Sequence, residues 1–267
     1  MAGIFGIALE VPFANLAVAL QRPATYRGHA LEARSIARAV AAYPFGVLES
    51  AISTGIPSGD SLHDVPVVMV HGYGHNRSGW FTLDRRLRRA GFTSVHSFNY
   101  NPLTGDVPKF GAQLAERVDL LRTVTGQPYV HVIGHSLGGL VARWFIQEEG
   151  GDEAVHTAIT VASPHEGTWT AAAGALSAGA RELLPGARVI RQLAAGARRT
   201  KVRWVAYYSN LDLLVQPGRS AMLSDPVLNA TNVLIKDVGH LSIMLAPSLT
   251  RSVVEQLETA VALERVA

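Results

Sequence analysis

From Val65 onward the chain alternates two hydrophobic rhythms. Short, nearly continuous runs of β-branched and apolar residues occur at Val65 to Val70, Ser94 to Tyr100, Tyr129 to Ile133, Thr157 to Val161, Val202 to Tyr208 and Asn232 to Val238. Runs of this kind suit strands buried on both faces of a parallel sheet. Between them, Trp80 to Ala90, Phe110 to Val124, Leu140 to Glu149 and Thr250 to Leu263 return an apolar residue every three or four positions, the period of an amphipathic helix. Strand, helix, strand in this order predicts an α/β fold: a doubly wound, mostly parallel sheet with helices on both faces. Small residues are enriched between Ala171 and Ala197, and no internal repeat interrupts the pattern.

Before Val65 the pattern is different. Gly3 to Leu20 is apolar, but Glu10, Pro12 and Asn15 break the run of about 20 apolar residues that a membrane span needs. The first basic residue is Arg22, so the basic start of a signal peptide is missing, although Ala17-Val18-Ala19 fits a small-residue cleavage site. Leu31, Ile36, Val40 and Tyr43 stand at near-helical spacing, and Pro44 ends that segment. Two helices packed on the main domain and a membrane-surface anchor both fit these residues. Thr54 to Asp64 is punctuated like a linker. The expected division is an N-terminal helical extension over residues 1–64 and a main domain over residues 65–267.

Composition narrows the classes. A chain of 267 residues with 48% hydrophobic and 17% charged residues builds its own core without staples and is not disordered. The absence of cysteine removes a disulfide framework, a thiolate metal site and a cysteine nucleophile. A net charge of +3 is too small to argue for nucleic acid without a concentrated patch.

In a doubly wound sheet, chemistry sits at the carboxyl ends of the strands. Gly134-His135-Ser136-Leu137-Gly138 follows the strand Tyr129 to Ile133 and opens a helix. A sharp strand-to-helix turn there exposes the Ser136 hydroxyl as a candidate nucleophile. Gly134 and Gly138 are expected where a Cβ would collide with neighbouring backbone. His71-Gly72-Tyr73-Gly74 follows the first strand. The N–H groups of Tyr73 and Leu137 are the candidate oxyanion donors, with Gly72 and Gly74 letting the loop approach a substrate. His71 and His75 lie four apart in this Gly-rich loop without a nearby third ligand, so neither a metal site nor a cofactor is expected.

A serine nucleophile needs a base, and the chain order Ser, acid, His places that base after Ser136. His156 falls near the start of a strand, on the wrong edge of the sheet. His165 precedes the acid and reads as a pocket or loop-fixing residue. His240, in Asp237-Val238-Gly239-His240, follows the last strand and is the candidate base. Asp212, directly after Val202 to Tyr208, is the candidate acid, with Asp225 as the alternative.

Together, Val67-Val68-Met69-Val70-His71-Gly72-Tyr73-Gly74, Gly134-His135-Ser136-Leu137-Gly138-Gly139, Ser209-Asn210-Leu211-Asp212 and Val238-Gly239-His240 resemble the bacterial lipases and esterases of the α/β-hydrolase fold, in particular the compact triacylglycerol lipase group. The resemblance covers residues 65 to about 260. It implies hydrolysis of carboxylic esters, often acylglycerols or other lipid esters, by a serine-based acyl-enzyme. Acyl transfer or thioester hydrolysis on the same triad is the alternative, and a non-catalytic lipid-binding protein of this fold is a further one. The first 64 residues have no counterpart in the compact forms. The larger members build a calcium site partly on an acid just after the catalytic histidine, where this chain has Leu241 and Ser242.

An insertion at about residues 167–200 falls where such enzymes place a cap over the acyl pocket. Ala187 to Arg199 puts Val189, Ile190, Leu193 and Ala194 on one face, and arginines 181, 188, 191, 198 and 199 crowd this region. An ordinary solvated helix and a basic cap docking on an anionic membrane or lipid-droplet surface both fit the pattern. Arg85, Arg86, Arg88 and Arg89 read as the exposed face of the helix through Leu83 and Leu87. The expected partner is therefore a small-molecule or lipid ester, not nucleic acid. A cytoplasmic or peripheral-membrane location is favoured, with secretion left open.

Overall fold

The computed structural model describes residues 23–47, 61–174 and 177–264; the apolar run Gly3 to Leu20 and most of the linker-like stretch lie outside them. Six strands form one sheet: β1 (Val67–Val70), β2 (Val95–Phe98), β3 (Val130–His135), β4 (Val155–Val161), β5 (Arg203–Ser209) and β6 (Thr231–Ile235). Their order is β2-β1-β3-β4-β5-β6, and all five pairings are parallel. The chain steps outward from β1 to β2, then crosses back to lay β3 on the other side of β1. This reversal opens a crevice beyond the carboxyl ends of β1 and β3, where doubly wound sheets bind their ligands.

Alternate strand residues feed two cores. Val68, Val70, Val130, Val132, Ala158 and Ala206 face one way. There they meet helix α4 (Val107–Thr125) through Phe110, Leu114 and Val118, and α5 (Leu137–Glu148) through Leu140 and Val141. Val67, Met69, Ile133, Ile159, Val205 and Tyr207 face the other way, against α3 (Phe81–Arg89) and α8 (Pro247–Glu264) through Leu83, Leu87, Leu249, Val253 and Leu257. Each fully buried aliphatic side chain contributes roughly 1.5–3 kcal/mol, so a sheet covered on both faces is held by both layers. The alternation explains the nearly continuous apolar runs of the sequence.

Helix limits follow cap chemistry rather than apolar spacing. Asp106 accepts from the Lys109 N–H at 3.0 Å, Pro108 occupies the first turn, and Gly126 closes α4 at φ 69°. The helix thus begins three residues before the first apolar position that announced it.

The largest difference lies at the amino end. Helix α1 runs from Pro23 to Ala42, eight residues earlier than the spacing of Leu31, Ile36 and Val40 predicts. Its buried residues are Thr25, Gly28 and Ser35, while Leu31, Ile36 and Val40 are largely exposed. Small residues make the contact, so no apolar period marks the helix start. Part of the linker-like stretch forms a short helix as well, α2 (Ser61–Asp64).

After β4 the chain forms a 3-10 turn (Trp169–Gly174), then α6 (Ala178–Glu182) and α7 (Arg188–Ala195). Val189, Ile190 and Leu193 of α7 are buried in the α5 core, and Arg143 and Gln147 of α5 both donate to the Leu193 carbonyl at 3.0 Å. The apolar face of α7 is therefore occupied by protein. Glu182 reaches the Val107 N–H at 2.7 Å and ties α6 to the start of α4. No helix of the described residues is long and apolar enough to cross a membrane.

Candidate active site

Ser136 stands at the turn between β3 and α5. Its backbone has φ 53° and ψ −122°, a conformation that costs a non-glycine residue about 1–3 kcal/mol. The turn is held by close backbone packing. A Cβ on Gly138 would lie 2.1 Å from the Val70 carbonyl oxygen, and one on Gly134 2.4 Å from the Gly138 carbonyl oxygen. A Cβ on Gly72 would press on the Ser136 Cβ at 2.9 Å. Leu137 is the first residue of α5, so its N–H has no partner within the helix, and the helix dipole points its positive end at Ser136.

The loop after β1 is anchored rather than loose. The His71 Nδ1–H donates to the Gly72 carbonyl at 3.0 Å, and Nε2 accepts the Tyr100 N–H at 3.3 Å. The Tyr100 hydroxyl donates to the His71 carbonyl at 2.6 Å, and the two rings stack 4.3 Å apart. Burial pushes the His71 imidazole down to about 4, so it is neutral at pH 7. Gly74 takes φ 67°, where side chains are strained. The Tyr73 hydroxyl lies 2.7 Å from Ser177 Oγ, linking the loop to the segment between β4 and β5.

Asp212 follows β5 in a turn that its own carboxylate closes. Oδ1 accepts the N–H groups of Leu214 at 2.8 Å and Val215 at 2.9 Å, and Oδ2 lies 2.8 Å from His240 Nδ1. Both side chains are buried. Burial lowers the tendency of His240 to hold a proton, but the Asp212 charge and hydrogen bond, with Glu32 added, outweigh it and raise the pKa above the ordinary value. Asp225 instead caps a 3-10 turn through the Val227 N–H at 3.0 Å. His156 lies on β4 near its start, and His165 is buried against Thr160 Oγ1 at 3.0 Å, fixing its loop.

Two residues at this centre escaped the sequence reading. His135 donates from Nε2 to the His240 carbonyl at 3.0 Å, with ring centroids 4.8 Å apart. It occupies the variable position of the serine motif, which carries no signal for that contact. Glu32 of α1 accepts the N–H groups of Leu241 and Ser242 at 2.9 and 2.8 Å. Nothing in the sequence pairs residues so far apart.

Ser136, His135 and His240 line one cavity of about 600 Å³. Its walls are mostly apolar: Ile36, Val40 and Tyr43 from α1 and the segment that follows it, Ala171, Ala180 and Leu183 from the segment between β4 and β5, and Leu214 and Val215 from the Asp212 turn. Among the described residues no cluster of three or more histidines and acids is arranged to hold a metal ion.

A six-stranded parallel sheet with this serine turn is that of the α/β hydrolases. Similar folds occur in Aspergillus fumigatus lipase B (20% identity, TM-score 0.63, covering 76% of this chain and 55% of that one). They also occur in the mature Bacillus licheniformis lipase BlEst2 (19% identity, TM-score 0.60, 78% and 96%) and in Paleococcus ferrophilus monoacylglycerol lipase (17% identity, TM-score 0.60, 79% and 100%). The chain thus spans little more than half the length of the Aspergillus lipase. The family model described as palmitoyl protein thioesterase matches residues 66–223, more than half of the chain. The chain belongs to that family.

Proposed function

We propose that this chain is a serine hydrolase that removes acyl groups from lipid esters or thioesters through an acyl-enzyme on Ser136. The observation that carries the reading is the meeting of Ser136 and an Asp212-paired His240 at one apolar cavity. Ser136 Oγ attacks the acyl carbonyl carbon while His240 Nε2 takes the hydroxyl proton. The negative oxygen of the tetrahedral intermediate is received by the N–H groups of Leu137 and Tyr73. His240 returns the proton to the leaving oxygen or sulfur. Water, deprotonated by His240, then releases the acid and restores Ser136. Asp212 fixes the imidazole with Nδ1 protonated and stabilises its cationic form.

The cavity supports an apolar acyl group rather than a sugar or phosphate, because its wall is mostly aliphatic and aromatic and, among the described residues, carries no lysine, arginine or carboxylate. Family membership favours including thioesters alongside the acylglycerols and other oxyesters. A series of oxyesters and thioesters matched in acyl chain tests this, with Ser136→Ala and fluorophosphonate labelling as controls. Ser136→Ala and His240→Ala are expected to lose about 10⁶-fold in turnover. Full activity of Ser136→Ala removes the proposal, and preference for short acyl groups removes its substrate class.

The same reading includes contact with an anionic lipid surface. With the apolar face of α7 buried, the surface that supports it is the cavity rim. Val40 lines the cavity, and Phe45, Trp169 and Leu213 each adjoin a lining residue in the chain; all four are more than half exposed. Arg38, Arg85, Arg86 and Arg89 line a groove on the neighbouring face of α1 and α3. Binding to vesicles is expected to require anionic lipid, weaken with salt and weaken again in Trp169→Ala. Binding indifferent to both lipid charge and salt ends this part of the proposal.

A further inference from the structure

We propose that Glu32 is a positioning residue for His240, acting from a helix that lies outside the stretch matched by the family model. Its two carboxylate oxygens accept separate backbone donors, Oε1 from Leu241 at 2.9 Å and Oε2 from Ser242 at 2.8 Å. These are the two N–H groups that directly follow the base. Hydrogen bonds to an ionised carboxylate are about twice as strong as neutral ones, so the pair is a firm clamp on a short loop.

The surroundings are shaped for this contact. A Cβ on Gly239 would lie 2.5 Å from Glu32 Oε2, so the residue before the base leaves room for the carboxylate. The Gly239 N–H is taken by Ser242 Oγ at 2.7 Å, which folds the loop over Glu32. Helix α1 comes this near because Gly28 is also bare: a Cβ there would meet the Asp237 carbonyl oxygen at 2.9 Å. His240 is thus fixed from three elements: Asp212 at its ring Nδ1, His135 at its backbone carbonyl and Glu32 at the backbone amides of the next two residues.

The charged or titratable groups facing His240 are Asp212 from the turn after β5, His135 at the end of β3 and Glu32 from α1. His135 is neutral at pH 7, since burial holds it well below the ordinary histidine value. Glu32 and Asp212 therefore both favour the imidazolium that forms during turnover.

The inference rests on His240 as the base, and Glu32→Gln in the full chain tests it. Glutamine keeps the size but turns one acceptor into a donor facing an N–H. We expect kcat to fall about tenfold with KM within about twofold, and the acidic limb of kcat/KM to move down by about half a pH unit. Glu32→Asp keeps the charge but is too short to hold both amides, so kcat falls severalfold while the acidic limb stays near that of the parent. Parent values of kcat and acidic limb in Glu32→Gln overturn the inference, as does a change confined to KM, which would make Glu32 only a prop for the cavity wall. Should Glu32→Gln not fold, parent kcat in Glu32→Asp overturns it instead. Activity retained by Ser136→Ala strikes the hydrolase reading itself; loss there with an indifferent Glu32→Gln strikes only the positioning role.

Discussion

The strained backbone of Ser136 persists because its neighbours leave it no alternative, and Gly138 bears most directly on that. The atoms its missing Cβ would strike are the carbonyl oxygens of Val70 and His71, both backbone and neither able to swing aside. Gly138→Ala is therefore expected to push α5 away from β1 and the loop after it, with a cost of about 1–3 kcal/mol in stability. Turnover should fall by more than stability alone explains, because Ser136 and the Leu137 N–H ride on the displaced turn. Melting temperature and single-turnover acylation check this together; a destabilised variant with unchanged acylation would detach the glycine from the site. These glycines were legible because their requirement is local: a strand, a turn and a helix start lie within six residues. Asp212 and His240 were legible for a related reason, since each lies three to five residues beyond the carboxyl end of a strand. Glu32 was not, because its partners are 209 and 210 positions further along the chain.

At the scale of elements, strands read more truly than helices. Burial on both faces writes a strand into the sequence as a continuous apolar run, and all six runs hold strands, with ends shifted by a few residues. A helix is written by one apolar stripe, and the stripe need not face the core. In α1 the stripe of Ile36 and Val40 borders the cavity and solvent, while the protein-facing side is Thr25, Gly28 and Ser35. Periodicity found the helix but misplaced its start and concealed what it touches. In α7 the apolar stripe was read correctly, yet docking on a membrane and packing on α5 leave the same pattern. Only the buried contacts of Leu193 with α5 separate the two.

For the whole molecule, the fold carries a set of neutral histidines that acid must charge. Burial lowers His71 and His96 to about 4 and His131 to about 3, holds His135 and His165 well below the ordinary value, and lowers His75 too. In the unfolded chain these imidazoles take up protons near pH 6.5. Below that pH the unfolded state binds more protons than the folded state, so stability is complete above pH 6.5 and drains away down to about pH 3–4. His240 has the opposite sign: its raised pKa adds stability at low pH, but one group cannot offset six. His131 is the sharpest probe, since it is fully buried on β3 and neither ring nitrogen has a hydrogen-bond partner among the described residues. Its share of the loss at pH 4.5 is about 2–3 kcal/mol. His131→Leu fills a similar volume, removes two unsatisfied polar atoms and has no proton to gain. Its melting temperature should be no lower than the parent's at pH 7, and its fall between pH 7 and pH 4.5 should be smaller by about 5 °C or more. Calorimetry at the two pH values decides the matter: equal falls in parent and variant would mean that His131 already titrates in the folded protein. Activity loss on acidification then separates into two parts. Protonation of the base is reversed at once on neutralisation, whereas the charging of buried histidines acts through unfolding and should track the melting curve.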